Sequence, residues 1–172
     1  MLLNQQKAYA LRLPVLEAYV RGLKQRLRLG TREFNICFVD DPTIRRVNKA
    51  FRGKDRATDV LSFTWGEPDR SQGAAEGVNG HASRKRRNTN SPEARAEFEG
   101  FLGDVVISVE TARRNARDEG HSTLNEIRWL ILHGVLHLLG YDHEHDNGDM
   151  TVLELALREQ LAQARGRRSR KR

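Results

Sequence analysis

The sequence has almost nothing with which to cross-link itself or enter a membrane. Cys37 is the only cysteine in 172 residues, so no intramolecular disulfide can form. It sits in the apolar run Phe34-Asn35-Ile36-Cys37-Phe38-Val39, which predicts a buried thiol in a reducing compartment. No neighbouring group would activate it as a nucleophile. No apolar stretch is long enough to span a bilayer, and the N-terminus shows no signal-peptide hydrophobic region. A cytoplasmic protein without a membrane partner is therefore expected. Internal repeats are absent. From Glu67 to Gly100 large apolar residues are nearly missing and periodicity is lost. Such a segment cannot bury enough surface to order itself, so 67–100 reads as a disordered surface insert.

Acidic residues are missing from the C-terminal end. Residues 165–172 hold Arg165, Arg167, Arg168, Arg170, Lys171 and Arg172, and the insert contributes Arg84, Lys85, Arg86 and Arg87. These two runs exceed the whole formal net charge of +7 and leave the remainder at −3. Basic runs of this kind attract polyanions without reading sequence, which is compatible with an RNA partner. The tail 165–172 reads as disordered. Residues 1–164 suit one domain with a substantial core.

What is present alternates between helical and strand periodicity. Residues 2–9 suggest a poor edge strand. Pro14 opens a helix to Leu29 with Leu16, Val20, Leu23 and Leu27 as its stripe, closed by Gly30. Phe34, Ile36 and Phe38 alternate in a strand that is covered on both faces, because Cys37 and Val39 are apolar too. Asp41 as N-cap and Pro42 at the first position start a second helix, which ends at Arg52-Gly53. Leu61, Phe63 and Trp65 alternate in a second strand, and 102–108 forms a third. Within it Asp104 either orients a histidine or satisfies a turn. A weakly amphipathic helix over 109–119 follows. Thr123-Leu124-Asn125-Glu126 is a capping box for a helix that is apolar nearly all round, hence central. Asp149 caps a last helix from Met150 to about Ala164. The order of elements predicts an α+β domain.

The central helix carries the chemistry. His133 and His137 are four residues apart and share a helix face. Gly140 supplies a left-handed C-terminal turn that can swing His143 back towards them. Three imidazoles with an open position suit a catalytic metal, most simply zinc, which can acidify a water. The spacing is that of the extended zinc-protease motif, except that Gly134 stands where those enzymes carry a general-base glutamate. The pattern therefore supports a metal and argues against proteolysis.

The segment His133-Gly134-Val135-Leu136-His137-Leu138-Leu139-Gly140-Tyr141-Asp142-His143 resembles the signature of the YbeY family, metal-dependent endoribonucleases of bacterial ribosomal RNA maturation. Asn48, Phe51-Arg52-Gly53-Lys54-Asp55 and Thr58-Asp59-Val60-Leu61-Ser62-Phe63 resemble that family's second motif, and Leu102–Ser108 its Gly-Asp-aliphatic strand. The resemblance covers roughly 32–66 and 102–145. It implies a small mixed β-sheet packed around the metal-bearing helix. It also implies one zinc ion on His133, His137 and His143, and single-stranded RNA as substrate. Maturation of the 3′ end of the small-subunit RNA, ribosome quality control and contact with the ribosome or its proteins come with it. By position Arg52 is the family's active-site arginine, and a guanidinium at the metal's mouth could hold a phosphate bidentately. Thr64-Trp65 departs from the proline usual after Ser-Phe, and the insert is longer than the family's loop. Either water or a ribose 2′-OH could be the nucleophile. Two other readings stand beside this one. One is a zinc peptidase whose base is Asp59 or Asp104; the other is a non-catalytic ribosome- or RNA-associated factor.

Overall fold

The computed structural model describes residues 1–65, 100–141 and 148–169. The insert, apart from Gly100, and residues 170–172 of the tail lie outside the described residues. The element order is β1 (Leu2–Asn4), α1 (Leu13–Arg26), β2 (Glu33–Val39), α2 (Asp41–Arg52), β3 (Val60–Thr64) and β4 (Phe101–Ser108). It continues with α3 (Val109–Asp118), α4 (Thr123–Leu138) and α5 (Asp149–Ser169). The strands form one mixed sheet in the order β1-β2-β4-β3. β1 and β4 run parallel to β2, while β3 closes the sheet antiparallel to β4. The α+β expectation is borne out.

Alternation along the strands assigns the two faces. Phe34, Ile36, Phe38, Val105 and Ile107 point to one side and pack with α1 and α4 in the larger core. Leu61 and Val39 point to the other side, against Ile44 of α2, with Cys37, Phe63 and Val106 beside them. β2 is thus covered on both faces, as its unbroken apolar run requires. Cys37 is only partly buried. Burial, together with the nearby Asp104 carboxylate, pushes its thiol pKa up, away from thiolate reactivity.

Four helix starts differ from the sequence reading by one residue; α5 takes Asp149, the expected N-cap, as its own first residue. The N-cap of α2 is Asp40, whose Oδ1 accepts from the Thr43 N–H at 2.9 Å. Asp41 instead ties α2 to α3: its Oδ1 accepts from the hydroxyls of Ser108 and of Thr111, the latter at 2.7 Å, and its Oδ2 pairs with Arg114. α1 begins at Leu13, with Pro14 in its first turn. α4 is capped by Ser122, which accepts from the Asn125 N–H at 3.2 Å. Glu126 is therefore freed from the capping box and turns to His121 and Asn115. In α2 and α4 a neighbouring acceptor takes the capping position because the chain enters the helix one residue away from the pattern's first choice, whereas α1 has no side-chain cap. The backbone of α5 stays helical to Ser169, beyond Arg165, Arg167 and Arg168.

Candidate metal centre

α4 is the floor of the site. Ile127, Ile131, Leu132, Val135 and Leu136 are essentially inaccessible, so the helix is held on most of its circumference. At its end Gly140 takes φ 90°. Its N–H donates to His137 O at 3.0 Å, and Tyr141 N–H donates to Leu136 O at 3.1 Å. This paired closure is the Schellman turn that the glycine predicts.

The structure brings His133 and His137 together. Their Nε2 atoms are 3.1 Å apart, and their rings meet edge to face with centroids 4.7 Å apart. On the far side of His133, Nδ1 lies 3.2 Å from Glu154 Oε2 of α5. Glu154 is 6% exposed. Burial works to raise its pKa, but hydrogen bonds and charge from His133 and Arg158 outweigh it and hold the carboxyl below the usual range. An ionised carboxylate only accepts, so Nδ1 carries a proton, and in the neutral imidazole Nε2 then presents its lone pair. That lone pair faces His137.

This donor set fits a divalent metal. Two zinc–nitrogen bonds of about 2.0–2.1 Å span the observed separation at an angle of about 100°. A carboxylate on the remote nitrogen is the usual support of a metal-bound imidazole. The sequence reading missed Glu154: it lies on α5, 21 residues from His133, and its helical position alone reads as an ordinary surface glutamate. His143, the expected third ligand, and His145 lie outside the described residues.

Arg52 ends α2, which packs on the opposite sheet face from α4. It is exposed, and among the described residues it has no hydrogen-bond or ion-pair partner. No contact joins it to His133 or His137. Among the described residues Asp104 orients no histidine. Its side chain accepts from Asn35 Nδ2 at 2.9 Å across the strand pair, because strand alternation aims it away from α4. Asp59 is also occupied, accepting from its own neighbour Val60 N–H at 2.8 Å and lying 3.4 Å from Asn115 Nδ2. Neither acid stands in for the missing glutamate.

Gly134 has a packing reason. A Cβ there would sit 2.5 Å from Val105 Cγ1 and 3.1 Å from Ser62 Oγ, because α4 lies against β3 and β4 at this point. Ser62 Oγ already donates to Gly134 O at 3.2 Å. Gly134→Ala should cost about 1–3 kcal/mol through overpacking, seen as a lower denaturation midpoint with metal content retained. An unchanged midpoint would mean that the strands yield freely. A glutamate at this position would meet the same strands, so the peptidase alternative has no room for its base here.

A second group of donors lies near the start of α4. Ligand atoms of Glu119, His121 and Glu126 fall within 4.8 Å of one another, so these residues too could hold a cation. His121 Nε2 is 3.2 Å from Glu119 and 3.3 Å from Glu126. An Nε2–H of His121 shared between the two carboxylates accounts for the same arrangement. Burial, first of all, raises the Glu126 pKa.

Comparison with known proteins identifies the family. The family model described as endoribonuclease YbeY matches residues 3–164. An endoribonuclease YbeY of Nautilia profundicola is 40% identical over 126 residues, 73% of this chain and 70% of the relative. One from Solibacter usitatus is 38% identical over 151 residues, covering 88% of this chain and 80% of the relative. The solution structure of a Thermotoga maritima protein aligns with a TM-score of 0.57 at 23% identity, over 97% of this chain and 93% of that one. That likeness concerns the fold alone. Whole-length family match and relatives near 40% identity converge: the chain belongs to the endoribonuclease YbeY family.

Proposed function

We propose that this protein is a metal-dependent endoribonuclease that cuts single-stranded RNA in ribosomal RNA maturation. His133, His137 and His143 would hold one zinc ion, and Arg52 would engage the scissile phosphate. The observation that carries the metal assignment is the pair of facing Nε2 atoms at 3.1 Å, backed by Glu154 on the remote nitrogen of His133. The relatives' name supplies the reaction, since they are endoribonucleases. When bound, the metal supplies a Lewis acid that polarises a phosphate and acidifies water.

The protein's own groups do the rest. Glu154 holds a proton on Nδ1 of His133, so the neutral ring turns the lone pair of Nε2 to the cleft. The apolar packing of α4 holds both imidazoles on a rigid element, which keeps their geometry without reorganisation. Arg52, exposed and without a partner among the described residues, has its N–H donors available for a phosphate. The basic tail adds affinity for the strand and no sequence readout. Ribosome association and ribosome quality control belong to the same reading.

Metal removal tests it. Chelation of the full chain should abolish cutting of a single-stranded RNA, and restoring zinc should recover it, while a double-stranded RNA stays intact throughout. Cutting that survives chelation would defeat the reading.

A further inference from the structure

Between α1, α4 and α5 lies a cavity of about 280 Å³ that the metal centre does not use. Tyr19, Asn125, Arg128, Trp129 and Arg158 line it, with the exposed Glu159 at its rim. Arg128 is 6% exposed. Its Nη1 donates to Asn125 Oδ1 at 3.3 Å, and the guanidinium lies 5.7 Å from the centre of the Tyr19 ring. Its Nε is buried and has no acceptor among the described residues. No carboxylate pairs with it among the described residues.

Arg158 is arranged in a related way. One Nη donates to Glu154, and the guanidinium lies 4.5 Å over the Trp129 ring. Its Nε too is buried without a partner among the described residues. A buried guanidinium lacking a counter-ion is costly to keep. Arg128 is such a group, while Arg158 beside it already pairs with Glu154; two guanidiniums lining one cavity can hold an anion with several acceptor oxygens, and a phosphate has that geometry.

The cavity adjoins the metal centre. Trp129 is one helical turn from His133 on the same face of α4. Arg158 reaches His133 through the shared carboxylate of Glu154. We propose that the cavity is a phosphate subsite for the RNA strand. In it Arg128 and Arg158 hold a phosphate flanking the one at the metal. This rests on the endoribonuclease reading for the source of the phosphate, and on the two arginines for the site itself.

The test uses the metal-loaded full chain and Arg128→Met, which replaces the guanidinium by an apolar group of similar volume. Inorganic phosphate should shift the Trp129 indole N–H resonance saturably in the wild type and in His137→Ala, but not in Arg128→Met. A single-stranded RNA should bind Arg128→Met about 10-fold more weakly, with a salt slope shallower by about 0.7. The melting temperature of Arg128→Met should hold or rise, because a buried unpaired charge has been removed. A lower melting temperature with the phosphate response intact would assign Arg128 to packing and overturn the subsite. So would RNA binding with unchanged affinity and slope. A phosphate response without any effect on RNA would transfer the site to free phosphate or a nucleotide, and overturn the strand. Failure of the wild type to cut RNA, with the Trp129 response present, would instead strike the endoribonuclease reading and leave an anion site standing.

Discussion

His137→Ala should empty the metal centre and stop RNA cutting together. The wild type should carry about one metal per chain, as a three-ligand catalytic site does. The variant should carry almost none. Partners one step removed from a metal typically cost 10–100-fold when lost, so removing a ligand itself should lower cutting by more than about 100-fold. Folding should survive, because His137 is only half-buried and the neighbouring Leu136 and Leu138 keep α4 in the core. Metal analysis beside a cleavage assay decides the matter. Metal kept with cutting lost would remove His137 from the ligand set and leave it some other role. Metal lost with cutting kept would point to a contaminating nuclease and favour the non-catalytic RNA-associated factor.

Glu154→Ala should lower metal affinity by about 10–100-fold without removing a ligand. The carboxylate sets which nitrogen of His133 carries the proton, and without it the ring can present an N–H to the metal position. Arg158, paired to the same carboxylate, would also lose its partner, so a modest stability loss should accompany the effect. Glu154→Gln keeps an acceptor for the Nδ1–H and should fall between the wild type and Glu154→Ala. Competition with a chelator gives the affinities. Nitrogen chemical shifts of His133 report the tautomer directly. Equal metal affinity in all three proteins would show that the 3.2 Å contact is packing and nothing more.

Both predictions turn on pairs of very different visibility in the sequence. His133 and His137 are legible because helical periodicity places residues four apart side by side, and the apolar surroundings fix the helix. Gly140 is legible for a similar local reason: a left-handed turn after a helix selects glycine, and the hydrogen bonds of the closure are present. Glu154 is not legible, since its role depends on how α5 packs across α4. Gly134 was legible only as an absence. Its spacing showed a missing base, whereas the structure shows a strand pair leaving no room for a Cβ. Asp104 misled because the sequence places a carboxylate in a strand without saying which face the register turns it to. Pairing with Asn35 and Phe63 sends it away from the histidines.

Local chemistry determined the elements, the α+β class, the central helix and the two facing imidazoles, since these depend on contacts within a few residues. Tertiary packing alone decided which carboxylate supports His133, which sheet face Arg52 and Asp104 occupy, and that Arg128 is buried without a counter-ion among the described residues. Each of these is set by a partner distant in the chain. Periodicity can say that a residue faces inward, but only the packed fold says what it meets there.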